Sequence, residues 1–387
     1  MKWFGRKAVR DAGRPFLFAG MAGRLAGEPW PRSYEAQVRE AVLSNAVAQR
    51  ALRLVSESVA GVVVVAETPQ ATPPSSAQPP SPSPAATGRI GAFLTPQLLE
   101  NVAMHLLLNG NAFVRVIEDG EGMPAELFAL RPERVTIEAD ARGWPAAYVY
   151  RVGEARTRIA ARDGLGRPGV IHLRAPHPLD DHYGLGCLGA AAPAVAVHNA
   201  SARWHKALLD NAARPSGALV YEPGDGAALS GEQYARLKAE MESLFQGSAN
   251  AGRPLLLEGG LKWQAMSLTP ADMDFVGLKA AAAREIALAF GVPPMLLGLP
   301  GDNTYANYKE ANRALWRLTV LPMAGRILSG IAGGLSAWWP GLNLAVDMDQ
   351  VTALHEDREA LWRAVTAADF LTVEEKREML GFAPARG

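Results

Sequence analysis

The densest chemistry in the chain lies between His172 and His182. His172, His177, Asp180, Asp181 and His182 place five metal-ligating side chains within eleven positions. Imidazoles and carboxylates of this kind can hold zinc or manganese and activate water for hydrolysis. The spacing matches no zinc motif, however, and Pro176 and Pro178 mark the segment as a loop. The plainer reading is a surface loop, with a metal-dependent hydrolase built on 172–182 as the alternative. Asp347 and Asp349 raise the idea of a magnesium pair, and their plainer reading is two solvated acids at a strand end. The chain contains no GxxxxGK[ST] phosphate loop and no GxSxG, HExxH or CxxC motif. No enzyme activity, cofactor or resident metal is expected.

Composition narrows the class. The 387 residues are 49% hydrophobic and 20% charged, which suits a globular chain of two or three sub-domains. Lys+Arg and Asp+Glu number 39 each, so the chain has no basic excess with which to clamp DNA electrostatically. Cys187 is the only cysteine, which excludes an internal disulfide and fits a reducing compartment. The first 30 residues scatter Arg and Gly without a continuous apolar run, so no signal peptide is expected. Pro322, Arg326 and Pro340 interrupt the apolar stretch Leu318–Leu342, which reads as a buried amphipathic helix and not as a membrane span.

The elements read as an α+β body interrupted by rods. Residues 1–32 form an irregular arm. A helix follows from Ser33 to about Ser58, then a strand over Val62–Ala66 and a Pro-rich extended loop over 67–89. Thr95-Pro96 starts a helix that the Asn109-Gly110-Asn111 stop ends. Strands are expected over Ala112–Glu118, Glu126–Leu130, Arg134–Glu138, Ala147–Val152 and Gly169–Arg174, mostly joined by hairpin turns. A long helix from Leu188 to Asn211 then leads to a small strand–helix–strand–strand module over Ala218–Tyr221, Glu232–Phe245, Pro254–Glu258 and Leu261–Met266. Its helix carries a capping box, Ser230 with Gln233. After Tyr308 a helix bent at Pro322 runs to about Ser329 and a strand over Leu342–Val346 follows; a helix over about Val351–Ala367 and a short one capped by Thr372 with Glu375 close the chain.

Between the small module and Tyr308 the grammar is mechanical. Thr269 can cap a helix whose apolar stripe is Phe275, Leu278, Ile286 and Phe290, a rod of about 31 Å. Gly291 supplies a left-handed stop and Pro293-Pro294 prevents the helix from continuing. An apolar loop follows, and a new helix starts near Thr304.

The order of parts resembles that of tailed-bacteriophage portal proteins of the long-tailed, siphophage type. In style it looks like the portal of a bacterial gene transfer agent. The residues that carry the resemblance are Leu107-Leu108-Asn109-Gly110-Asn111-Ala112-Phe113, Tyr183-Gly184-Leu185-Gly186, Asn211 with Arg214-Pro215-Ser216-Gly217, and Leu257–Trp263. They continue with Phe290–Gly298, Thr304-Tyr305-Ala306-Asn307 and Leu371–Arg377, so the match runs in order over roughly 33–381. The Pro-rich segment and a short C-terminal region depart from the family pattern. The resemblance implies an α+β, portal-type subunit that joins a ring, normally of twelve. Its parts would be an arm (1–32), a wing (33–187 and 305–349), two stem helices (188–217 and 269–291), a clip (218–268), a tunnel loop (292–304) and a helical crown (350–387). It also implies a passive conduit and valve for double-stranded DNA at a capsid vertex, in a virion or phage-like particle made in the bacterial cytoplasm. The partners would be other copies of the chain, the major capsid protein, the large terminase and then a head–tail adaptor, with no membrane. A capsid or scaffolding protein that conducts nothing is the other alternative.

Site residues follow from that resemblance. The tunnel loop would present Leu296, Leu297, Gly298, Leu299, Pro300, Gly301, Asp302 and Asn303 to DNA. An apolar tip suits sliding, because each phosphate neutralised adds salt-sensitive grip. Arg203, Lys206, Arg214, Lys279 and Arg284 are candidate tunnel or inter-subunit charges, or else solvated helix faces. Glu232, Arg236, Glu240 and Glu242 on the clip helix either stabilise it internally or face the motor and adaptor.

Overall fold

The computed structural model describes residues 33–67, 90–210, 217–221, 230–233, 235–236, 239, 261–265, 274–299 and 305–380. The chain divides into two compact units, one within Met1–Ala192 and Ile286–Gly387, the other within Pro193–Glu285.

In the first unit the expected N-terminal helix is two helices. α1 covers Tyr34–Val38 and runs into a π turn at Arg39–Leu43, and α2 covers Ala46–Ala60. The break has a local cause. Asn45 is extended and its side chain accepts from the Ala48 amide at 3.0 Å, so it ends one helix by capping the next. α2 buries Ala48, Ala51, Leu52, Val55 and Val59, a stripe at helical spacing. It packs on α3, Pro96–Asn109, which Thr95 caps and Gly110 ends in the left-handed region. Strand β1, Val64–Glu67, begins two residues later than expected.

The strands form antiparallel sheets. β2 (Asn111–Glu118), β3 (Pro124–Leu130) and β7 (Val170–Arg174) are ordered β3-β2-β7. β4 (Val135–Ala139), β5 (Pro145–Val152) and β6 (Ala155–Ala160) are ordered β4-β5-β6. β6 was not expected. Phe113, Leu130, Val135, Tyr148, Ile159 and Val170 make one core across both sheets. Three turns share one construction. The carboxylates of Asp119, Asp140 and Asp163 each accept two backbone amides, two and four residues on, at 2.8–3.0 Å.

α4 (Leu188–Asp210), β8 (Gly217–Tyr221) and β9 (Leu261–Ala265) follow, with β8 and β9 antiparallel. The Ser230–Gln233 capping box is formed in both directions, at 3.2 and 2.9 Å. α5 covers Phe275–Ala289, and its expected start at Thr269 lies outside the described residues, as do 1–32, 68–89 and Pro254–Glu258.

α6 (Tyr305–Leu315), a π turn (Trp316–Val320) and α7 (Leu321–Leu335) form one long helix, ending six residues beyond the expected Ser329. Pro322 does not act as a bare kink. It has no N–H to offer the Leu318 carbonyl, and the wider π turn directly before it accommodates that loss. The segment Ala306–Leu335 is long and apolar enough to cross a membrane. Its second half packs inside this unit: Ala324, Ile327, Leu328, Ile331, Ala332 and Leu335 are buried, and α7 packs on α3, β7 and β10 (Asn343–Val346). β10 pairs with β1, so this late strand completes a sheet with an early one. α8 (His355–Ala367) and α9 (Val373–Met379) end the described chain, and α9 carries the complete Thr372–Glu375 capping box.

Candidate functional site

The end of α5 is built to stop and to turn. Gly291 has φ +67°, and its amide donates to the Leu288 carbonyl at 3.0 Å. The Val292 amide reaches back to Ala287 at 2.9 Å, and both Ala287 and Val292 are buried. Together these bonds close the helix and satisfy the Ala287 and Leu288 carbonyls. The one backbone group left over at Gly291 is its carbonyl. It accepts from the Thr319 hydroxyl, on the π turn, at 2.7 Å. A Cβ at position 291 would lie 2.8 Å from that hydroxyl, so glycine is needed for fit as well as for conformation.

Beyond Pro293 the chain makes a 3₁₀ turn, Pro294–Leu297, which lies against α2 and α6 and ends at left-handed Gly298. Leu296, Leu297 and Leu299 are half-buried, and Gly298 is exposed. The leading leucines therefore form a seated base, where the sequence reading made them the tip. Pro300, Gly301, Asp302 and Asn303 lie outside the described residues. The stripe on α5 is also different in part. Ile286 and Phe290 are buried, helped by Ala282, Ala283 and Ala287, whereas Leu278 is 45% exposed. Small alanines in the second half carry the close packing that the larger side chains were expected to share.

A second construction sets the start of α4. The segments Leu107–Asn111 and Tyr183–Cys187 clasp each other. The Asn111 side chain is buried; its amide nitrogen donates to Asn109 and to the Gly184 carbonyl, and its oxygen accepts the Gly184 amide at 2.7 Å. Ala175 donates to the Gly110 carbonyl at 2.8 Å and Cys187 to the Leu107 carbonyl at 2.7 Å. A side chain at Gly110, Gly184 or Gly186 would run into the opposite backbone. The Tyr183 hydroxyl accepts from the Ile137 amide at 3.0 Å, tying the clasp to β4.

The His/Asp cluster dissolves in three dimensions. His172 lies in β7 and not in the loop, stacked on Phe113 with centroids 4.3 Å apart. Its Nε2–H donates to the Asn111 oxygen at 3.1 Å, since that oxygen already accepts the Gly184 amide. Burial first, then Arg174 and His182, lowers its pKa to about 4, so it is neutral at pH 7. His177 accepts the Leu179 amide, Asp180 caps the amides of His182 and Tyr183, and the Asp181 carbonyl accepts from Arg174. Among the described residues no three His, Cys, Asp or Glu groups are gathered to hold a metal. Asp347 caps the Asp349 amide at 3.0 Å, and Asp349 is bound by Arg358 at 2.8 Å, so the two acids face different tasks and Asp349 is not simply solvated.

Of the expected charges, Arg203, Lys206, Arg284, Glu232 and Arg236 are exposed and Lys279 is half-buried near His198. Arg214, Glu240 and Glu242 lie outside the described residues or their side chains do.

The sequence model of the family described as "Phage portal protein" matches residues 46–381. The chain belongs to the phage portal protein family. A solved chain from the virion of a native gene transfer agent (GTA) particle is 44% identical, with a TM-score of 0.67, and the match covers 93% of this chain and 97% of that one. A chain from the neck of a native GTA particle, computed with C12 symmetry, is 43% identical with a TM-score of 0.66, covering 95% and 98%. An uncharacterized protein of Rickettsia felis is 44% identical over 283 residues, 72% of this chain and 71% of its own length.

Within this portal fold, sequence reasoning missed three things. It did not see Thr319 as the partner of Gly291. The 107–113 and 183–186 motifs read as separate in sequence, whereas they are two halves of one clasp. Sequence reasoning also missed a ladder of Lys309, Arg313 and Arg317 on α6 and the π turn, which meets Glu356 and Asp357 on α8. The i, i+4, i+8 spacing of those cations was the available signal.

Proposed function

We propose that this chain is the portal subunit of a phage-like particle of the gene-transfer-agent kind. It assembles as a ring, normally of twelve, at one capsid vertex and passes double-stranded DNA inward during packaging and outward on ejection. Portal proteins are structural rather than enzymatic, and this one acts as conduit and valve. The observation that carries the reading is the match to chains from GTA particles along nearly the whole length of both partners.

In this reading 33–187 and 305–349 are the wing, 188–217 and 269–291 the stem, 218–268 the clip, 292–304 the tunnel loop and 350–387 the crown. Leu296–Asn303 touches DNA without sequence preference. Arg203, Lys206, Arg214, Lys279 and Arg284 line the tunnel or the contact between subunits. Glu232, Arg236, Glu240 and Glu242 dock the large terminase and afterwards the adaptor, and the wing meets the major capsid protein.

Two measurements test this. The purified protein should give a closed ring near twelve times 41.2 kDa, whereas a monomer or dimer under assembly conditions would count against it. Particles carrying a deletion of Leu297–Pro300 should form rings yet package or retain DNA poorly. Normal retention of full-length DNA would remove the loop from the DNA path.

A further inference from the structure

We infer that Thr319 is a positioning residue for the tunnel loop, and that the π turn, besides accommodating Pro322, aims its hydroxyl at the end of the second rod. The loop's role in DNA passage rests on the portal reading; the Thr319 contact itself does not.

Four observations converge. First, the π turn Trp316–Val320 is a single wide turn inside a helix that is otherwise α from Tyr305 to Leu335. Such turns are uncommon and concentrate where a helix must present a side chain differently. Pro322 needs a local widening but asks nothing of residue 319. Second, within the turn Leu318 points to solvent and Val320 is wholly buried, while Thr319 alone faces Gly291. Third, a helical threonine ordinarily returns its hydroxyl to its own helix, four residues back. Thr319 instead donates to the Gly291 carbonyl, 28 residues away in sequence, at 2.7 Å. Fourth, that carbonyl has no competing donor among the described residues, because the neighbouring amides of Gly291 and Val292 are spent closing α5.

Both branches of the side chain are used. A Cβ at 291 would meet the Thr319 Oγ1 at 2.8 Å and its Cγ2 at 3.3 Å, so the methyl fills the space beside the glycine while the hydroxyl bonds to it. Directly after this contact come Val292, Pro293 and the seated 3₁₀ turn. Fixing the Gly291 peptide therefore fixes the direction in which the loop departs.

The test compares Thr319→Val, which keeps the shape and removes the donor, with Thr319→Ser, which keeps the donor. Amide hydrogen exchange is followed on the full chain. The expected result is exchange in 286–299 faster by roughly tenfold in Thr319→Val, with 46–60 unchanged and Thr319→Ser within about twofold of wild type. Should Thr319→Val fail to fold, Thr319→Ala carries the same comparison. Unchanged exchange in the donor-less variant, or equal loosening in Thr319→Ser, overturns the inference whatever the particles do. DNA retention in particles is the separate arm. Faster exchange with normal retention keeps the Thr319 contact and overturns instead the loop's place in the DNA path.

Discussion

Asn111 and Gly184, 73 residues apart in sequence, exchange a reciprocal pair of hydrogen bonds: the side-chain amide donates to the glycine carbonyl and the side-chain oxygen accepts the glycine amide. The Asn111 side chain thus replaces a strand partner for that one residue. Because α4 begins four residues after Gly184, this pair sets the start of the first rod against the β2–β7 sheet.

Asn111→Ala should therefore destabilise the unit that holds it by about 1–3 kcal/mol, since the Gly184 amide and carbonyl are left buried without partners. Asn111→Asp should be worse, because it keeps the acceptor but loses the donor and buries a charge. Chemical denaturation checks both. Equal midpoints for wild type and Asn111→Ala would mean that water replaces the side chain without cost.

The glycines of the clasp separate two causes that sequence alone confuses. Gly184→Ala forces a Cβ into the Gly110 carbonyl and should prevent correct folding, read as loss of soluble protein. Gly143→Ala is the control. Gly143 has φ +87° but open space around it, so only backbone strain of roughly 1 kcal/mol should appear. If both variants behave alike, steric closeness is not what the clasp requires.

Much of this was legible because it is local. Thr95, Gly110, Ser230, Gly291 and Thr372 mark helix ends by their own chemistry, and the structure uses each of them. β6 was not legible, since Ala155–Ala160 carries one large apolar residue, Ile159, among arginines and a threonine on an exposed edge. The expected helix over 33–58 failed on Asn45, which reads as a tolerated interior polar residue until its cap is seen. Thr319 and the partners of the Lys309–Arg317 ladder were hidden for a different reason. Those partners lie 28 to 47 residues away, and the i, i+4, i+8 spacing of the cations marks a charged face without naming what meets it. Likewise, the His/Asp cluster was only a run in sequence: β7 takes His172 inward and the turns consume the rest.

Acid should weaken the first unit, and His172 with His105 gives the sign. Burial holds both imidazoles at about 4, below their ordinary 6.5. Between those values the unfolded chain binds more protons, so stability is full above pH 6.5 and falls as the pH drops towards 4. The loss should be at most about 1.4 kcal/mol per pH unit for each histidine. Melting curves from pH 7 to 4.5 test this. His172→Gln should flatten the slope, and an unchanged slope would assign it elsewhere.

Helix α8 should be held by charge more than by burial. Lys309 bonds Glu356 at 2.5 Å, and Arg313 reaches Glu310 at 2.8 Å, Glu356 at 3.0 Å and Asp357 at 3.6 Å; of α8 itself only Val365 is buried. Arg313 is the centre, 19% exposed where its partners are open to solvent. Lys309 first, then Arg313, holds the Glu356 carboxyl below its ordinary 4.5. That contribution is present at neutral pH and lost as the pH falls through the lowered value. Raising salt from 0.05 to about 0.5 M screens such pairs. It should speed amide exchange in 355–367 several-fold while α2 and α7 stay protected. Arg313→Ala should produce the same loosening at low salt and remove most of the salt response. If α8 is equally protected in both salts, apolar contacts at Leu354 and Val365 hold it, and the ladder is decoration on a helix that would dock without it.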